Sequence, residues 1–293
     1  MPARSVLLGL LLAVTASVTG LSAQWPLYKQ SNVPRLRDGA VNLTAPAPRW
    51  LDGKPDLSGV WENVGWREGA AASGIIVGVG GAPSTRSAAD RRERAPSIAA
   101  FFDIGTMVPG GLPYQPWAKE LRDARARDNA KDNPDAHCLP LGNMQLHLHP
   151  EPRKIIQSAH ELVVLYEGNA GVRQIFTDGR ALPTNDPQPW WFGYSVGRWE
   201  GDSLVVQTSH FRDGGWLDVN GAPLTSEGKL IERFRRPNVG TLEIDVTIDD
   251  PKAYTKPWTV RVNQRLIPDG ELIEFVCNEN NQFNPATGSR RAR

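Results

Sequence analysis

Cysteine is scarce in this sequence: Cys138 and Cys277 are the only two in 293 residues. Neither has a second cysteine nearby, so a thiolate-rich zinc site is excluded. Charge of one sign is also lacking. Lys and Arg number 33 against 32 Asp and Glu, which removes the basic excess of a dedicated nucleic-acid binder. Beyond the first 23 residues no apolar run reaches 18, so no membrane-spanning helix is expected. A phosphate loop, a dinucleotide fingerprint and a Gly-x-Ser-x-Gly elbow are all missing, which leaves no cofactor and no good nucleophile to read from motifs.

The chain does open on an export pattern. Arg4, an apolar run from Val6 to about Val18, and small residues ending at Ala23 follow the order of a cleaved signal peptide, residues 1–23. This predicts a periplasmic or secreted protein. In an oxidising compartment an even cysteine count points to one disulfide, Cys138–Cys277, the alternative being two buried thiols. On the chain-entropy account such a bridge is worth about 4–5 kcal/mol.

Residues 24–54 are rich in Pro and Asn and read as an extended arm. "PDLSGVWENV" (55–64) reads as a first strand. Residues 66–136 read as a partly helical insertion or lid, flexible at first, with a short helix near 88–94. Its best helix is "PWAKELRDARARDNAKD" (116–132), with Pro116 in the first turn and Trp117 and Leu121 on one face.

After Cys138 the pattern becomes a series of hairpins, with turns at residues 158–160, 168–171, 200–202, 237–240 and 268–270. Alternation is cleanest at Leu242, Ile244, Val246 and Ile248, whose neighbours Glu243, Asp245, Thr247 and Asp249 are polar. One apolar face at period two predicts an antiparallel meander, and a meander of this length closes into a barrel. The domain spans 55–285, with a disordered tail at 286–293. In this frame Glu200-Gly201-Asp202 is a hairpin tip rather than a paired-carboxylate site, and Trp199 caps one end of the core.

"PDLSGVW", "TDGR", "GRWEGDSLVV", "ERFRR" and "TIDDPKAYTKPWTV" together resemble a family of exported bacterial proteins whose motifs carry no assigned chemistry. The resemblance runs from about Pro55 to Asn280. Where that family often has Gly-His-Pro-His, this chain reads Gly221-Ala222-Pro223-Leu224. More distantly, Gly59-x-Trp61 is similar to the opening of lipocalin-like (calycin) barrels, which implies that a glycine and a tryptophan close the bottom of a cup.

Several residue groups are candidates for chemistry. In "LHLHPEP", His147 and His149 would share a strand face with Glu151 beyond them, and with His210 would suit iron, zinc or manganese. Pro150 and Pro152 break such a strand, so a loop with two solvated or hydrogen-bonded histidines is the reading adopted, without metal. "TSHFRDGGWLD" (208–218) offers His210 and Asp218 as an acid–base pair, or as backbone caps. In "KLIERFRR" one face carries Glu232 and Phe234, the other Arg233 and Arg235. A buried charge there needs a partner, and the alternative is an outward Arg stripe paired with Glu243 and Asp245. Asp178-Gly179-Arg180 is a turn first and a site second.

Ten tryptophans stand out, densest in "PWWFGY" (189–194). Their flat faces suit apolar, aromatic or sugar ligands, and Trp190, Trp191, Trp199 and Trp216 are the candidates for a pocket mouth. The sequence therefore predicts an exported, mainly β protein: a lipocalin-like barrel that holds a small hydrophobic or aromatic molecule in its cavity. The alternative is an enzyme on the same barrel that performs lyase, isomerase or cyclase chemistry. His210 and Asp218 would then be catalytic, and Arg180 or Arg233 would orient a polar ligand group. A third possibility is an interaction module with exposed tryptophans that binds a protein or glycan.

Overall fold

The structure is a computed structural model and describes residues 29–30, 33–64, 101–185, 188–277, 283–284 and 289–290. The expected signal peptide, the short helix near 88–94 and the flexible stretch before it lie outside the described residues.

Nine strands close into a barrel: β1 (Gly59–Asn63), β2 (Arg153–Gln157), β3 (Glu161–Tyr166), β4 (Gly171–Phe176), β5 (Tyr194–Glu200), β6 (Ser203–Ser209), β9 (Lys229–Asn238), β10 (Thr241–Asp249) and β11 (Trp258–Leu266). Strand β1 closes it by pairing with both β2 and β11. Between β6 and β9 the chain leaves the wall to form a two-residue ladder, β7 (Gly215–Trp216) with β8 (Pro223–Leu224). The expected closed β architecture with few helices is present. It is mixed rather than wholly antiparallel, because β4 and β5 run parallel through Ile175–Ser195 and Phe176–Val196. A 17-residue connection, 177–193, separates them, and a parallel return needs a crossover of about that length.

Alternation places the core. Strand β9 buries Leu230, Glu232, Phe234 and Arg236 and exposes the residues between them. Strand β10 buries Leu242, Ile244, Val246 and Ile248 as its apolar period requires. Outside, Arg235 pairs with Glu243 and Arg261 with Asp245, while Arg233 turns to Glu200.

Trp61 lies wholly buried at one end of the barrel, its indole N–H donating to Leu57 O at 3.1 Å. The Arg236 guanidinium stacks 4.8 Å from that ring and donates to three backbone carbonyls, of Asp56, Ser58 and Val239. Gly59 has φ +148°, and a Cβ there would lie 2.6 Å from the Leu266 Cδ1, so the Gly-x-Trp spacing answers a local steric demand. The arm seals the same end: Gly240 N donates to Leu43 O, Val239 N to Ala45 O, and Arg35 is paired with Asp269.

Two expectations change. The turn at 268–270 does not make a hairpin: β11 ends at Leu266, and residues 271–276 form no strand. The edge of β11 there is already taken by β1 through Trp61–Leu266 and Glu62–Arg265, so the segment has no partner edge. The long helix stops at α1 (Pro116–Arg127), where Asn129 and Ala130 adopt positive φ. Trp117 lies largely exposed on α1 and donates to Lys252 O, and Ala118 is its buried residue. In the expected disordered tail, β13 (Ser289–Arg290) pairs with β12 (Phe283–Asn284). The disulfide Cys138–Cys277 is formed and ties the chain entering the second helix to the C-terminal segment.

Candidate functional site

The barrel interior is occupied by the chain itself. Helix α2 (Asn143–Leu148) is buried at all six positions, and the His147 ring lies edge-on between Tyr166 and Phe234. These residues were expected in a loop or strand. A helix forms instead, between Pro140 and Pro150, and the buried Arg153 guanidinium donates to the carbonyls of His147 and His149 left free at its C-terminal end.

His147 Nε2 meets Glu232 Oε1 at 2.7 Å. Glu232 is gripped from the other side by both terminal nitrogens of Arg173, whose guanidinium also donates to the Ser195 and Thr208 hydroxyls. Burial works against the Glu232 carboxylate, but Arg173 and then His147 outweigh it and hold its pKa down at about 2. Burial likewise opposes the Arg173 charge, and Glu232 more than restores it. Burial pushes His147 below its ordinary value, so the imidazole is neutral at neutral pH and its Nε2 carries the proton given to Glu232. The condition placed on Glu232 by its sequence is met, since the buried carboxylate has a buried partner. The network is closed off, with Glu232 and Arg173 at most 1% exposed.

Two adjoining clefts lie instead at the rim. One, of about 690 Å³, is lined by Pro189, Ser209, His210 and Phe211 on one wall and by residues 226–229 with Asp249 and Pro251 on the other. A second, of about 480 Å³, shares Pro189 and Ser226 with it and adds Gln188, Arg212 and Asp213. The two adjoin at Pro189 and Ser226, and both are open to solvent; the larger is the rim groove referred to below.

Backbone geometry fixes its walls. Trp190 bridges to Phe211, with Trp190 N donating to His210 O and Arg212 N to Trp190 O. His210 has φ +60°, uncommon for a residue with a Cβ, and its Nδ1 lies 2.8 Å from Ser209 Oγ. Gly193, with φ +63°, has no room for a Cβ against Phe211, Ser209 O and Thr208. Opposite, the buried Asp250 accepts from Thr225 N, Thr225 Oγ1 and Ala253 N, and so pins both loops of the second wall. Asp213 holds Ser226 N at 2.8 Å, which keeps its own carboxyl below the usual range.

The structure brings together some of the residues singled out from sequence and separates others. His210 lines the groove, and Trp190 stands beside it, 6.5 Å from His210 and 5.4 Å from Tyr194 between ring centres. Arg180 joins the same surface through Tyr194 Oη at 3.2 Å and lies over Phe176. Trp191 underlies Arg212 at 5.3 Å, beside the second cleft. Trp199 packs against the core, and Trp216 is buried beneath Arg125 at 4.4 Å. Arg233 points outward to Glu200. Asp218 is buried and accepts from Ile104 N and Ala222 N, and no hydrogen bond or ion pair joins it to His210. Burial raises Asp218 to about 6, against those two N–H groups. His149 pairs with Glu151 at the end of α2, and no cluster of three or more potential metal ligands occurs among the described residues.

Sequence reasoning missed Arg173, Ser226, Lys229 and Asp249. Arg173 was findable, since it keeps phase with the inward Ile175 on β4. Ser226 lies in a loop, where no period exists to read, and Lys229 and Asp249 lie at strand ends, where period two gives their face but not their place in a groove.

No protein-family model, curated protein or solved structure matches this chain.

Proposed function

We propose that this protein is an exported binding protein and that its guest, a small ring-bearing molecule, is held in the rim groove rather than in the lumen. The observation that carries this reading is the open cleft lined by Pro189, His210 and Phe211, with Trp190 beside it against His210 and Tyr194, while α2 and the Arg173–Glu232–His147 network occupy the barrel. A groove needs rigid walls if binding is not to lose its gain to ordering. Here the Trp190–Phe211 bridge and the Asp250 cap provide them. Export is supported by the leader-like first 23 residues and by the disulfide. The acid–base reading has less support, because Asp218 is committed to two backbone amides.

Indole N–H signals of the ¹⁵N-labelled protein test the reading against a panel of single-ring aromatic compounds and sugars. The Trp190 signal is expected to shift while that of Trp61, buried at the barrel floor, stays still. Shifts confined to Trp61 would place the guest in the lumen, and a panel that moves neither signal would remove the groove as a binding site.

A further inference from the structure

Away from the groove, we infer that residues 271–276, the segment after β11, are a docking strand for a partner polypeptide that brings basic residues set among apolar ones. The stretch ELIEFV joins β-favouring Ile273, Phe275 and Val276 to Leu272 and two carboxylates, with no Gly or Pro. In the fold it has no strand to join, because β1 already occupies that edge of β11. Among the described residues its backbone makes a single hydrogen bond, from Ile273 N to the Glu167 carboxylate at 3.0 Å. Its other N–H and C=O groups form the kind of unpaired row to which a further strand adds.

The side chains are uncovered as well. Ile273 is 51% exposed, Phe275 38% and Val276 49%. Leu139, beside the other half-cystine, is 43% exposed, and the Cα atoms of Cys138 and Cys277 lie 5.6 Å apart, which puts Leu139 and Val276 in one apolar patch. Single exposed apolar residues are ordinary, whereas a cluster of them marks a contact surface. The segment is nonetheless held at both ends. Asp269, just before it, is ion-paired with Arg35 and accepts from Gln30 N, and Cys277, just after it, is fixed by the disulfide. A clamped strand has less freedom to lose on pairing than a frayed terminus has.

Charge selects the partner. Glu271 and Glu274 are exposed and make no ion pair among the described residues, and Glu167 adds a third carboxylate beside Ile273. The segment itself carries no cation. Carboxylates around an apolar strip repel an anionic bilayer and a second copy of the same strip, and they attract Lys or Arg placed opposite. In an extended chain Glu271 and Glu274 project to opposite faces, with Leu272 and Ile273 between them. The complementary strand therefore has basic residues three apart, with apolar or β-branched residues between.

The test titrates the full chain with a dye-labelled hexapeptide, Thr-Val-Lys-Thr-Val-Lys, beside the same peptide with glutamate for lysine and a third with alternate amides N-methylated. Anisotropy reads binding, and the amide NMR signals of residues 271–276 read its place. Only the unmethylated lysine peptide should bind, more weakly at high salt, and it should move those signals. The double variant Glu271→Lys, Glu274→Lys should lose roughly tenfold in affinity for the lysine peptide and gain the glutamate peptide. Its melting temperature should not change, because both side chains are exposed and unpaired. Binding of all three peptides alike, binding that moves signals elsewhere, or no binding at all would overturn the proposal. So would a dimer that forms through 271–276 and excludes the peptide, which assigns a second copy, or adsorption to phosphatidylglycerol vesicles alone, which assigns a membrane surface.

Discussion

Replacing Glu232 by Gln keeps the shape of the buried network and removes its only carboxylate. Arg173 then retains hydroxyl acceptors at Ser195 and Thr208, at 2.9–3.2 Å, but no counter-charge. Two routes give the magnitude. Breaking a buried ion pair from one side costs about 3–5 kcal/mol. Independently, the carboxylate falls from its ordinary 4.5 to about 2 on folding, which at about 1.4 kcal/mol per unit corresponds to roughly 3 kcal/mol. Urea unfolding followed by tryptophan fluorescence should therefore show Glu232→Gln destabilised by about 3 kcal/mol at pH 7, a melting shift of roughly 6–12 °C for a domain of this size. A depressed carboxylate contributes stability that is present above pH 4.5 and lost as the pH falls towards about 2. His147, also depressed, contributes above its ordinary 6.5 and loses it on acidification. Wild type should thus weaken progressively below pH 6.5, and the Glu232→Gln variant should show a shallower acid limb. The triple variant Arg173→Met, Glu232→Leu, His147→Leu should recover most of the loss, because an apolar core of similar volume has no charge left to satisfy. A Glu232→Gln cost below about 1 kcal/mol would refute the claim that this network is buried and ionised.

Two further outcomes follow from particular residues. Asp218, raised to about 6 by burial, acts with the opposite sign: its contribution is complete below its ordinary 3.8 and disappears as pH rises through 6. The unfolding free energy at pH 8 relative to that at pH 4 should be higher in Asp218→Asn than in wild type, by up to about 3 kcal/mol, and an unchanged difference would refute its burial. Gly59→Ala places a Cβ 2.6 Å from Leu266 at a positive φ, and should cost about 1–3 kcal/mol in thermal unfolding. A neutral result would mean the barrel floor is looser than drawn.

The barrel was legible wherever one face of a strand is apolar and the other polar, as in β10. It was less legible where the inward face is polar. In β2 the buried residues are Arg153, Ile155 and Gln157 while Ile156 is exposed, and in β4 Val172 points out and Arg173 in. Period two gives the spacing of such strands but not their sense, because a lumen crossed by ion pairs inverts the usual rule. The misread hairpin after β11 has a different cause. Turn chemistry at Asp269-Gly270 is local, whereas the availability of a strand edge depends on β1, about two hundred residues earlier. Trp190, Trp191 and His210 were found as types and neighbours. Their separation from Trp199 and Trp216 could not be, since all four tryptophans occur in similar Gly- and aromatic-rich surroundings.

The filled lumen and the open groove are linked by the same elements. Strand β6 contributes Thr208 inward to Arg173 and ends at Ser209 in the groove wall, with His210 following directly after the strand. Strand β9 begins with Lys229 in the groove, and Glu232 follows three residues on in the core. The buried ion network therefore anchors the two strands whose ends form the facing walls. On the proposed reading, a guest settling between His210 and Lys229 would press on strands whose register is locked from within by Arg173 and Glu232. On this reasoning the charges inside the barrel keep the mouth of a shallow site rigid, a role that a purely apolar filling would serve with less directional control.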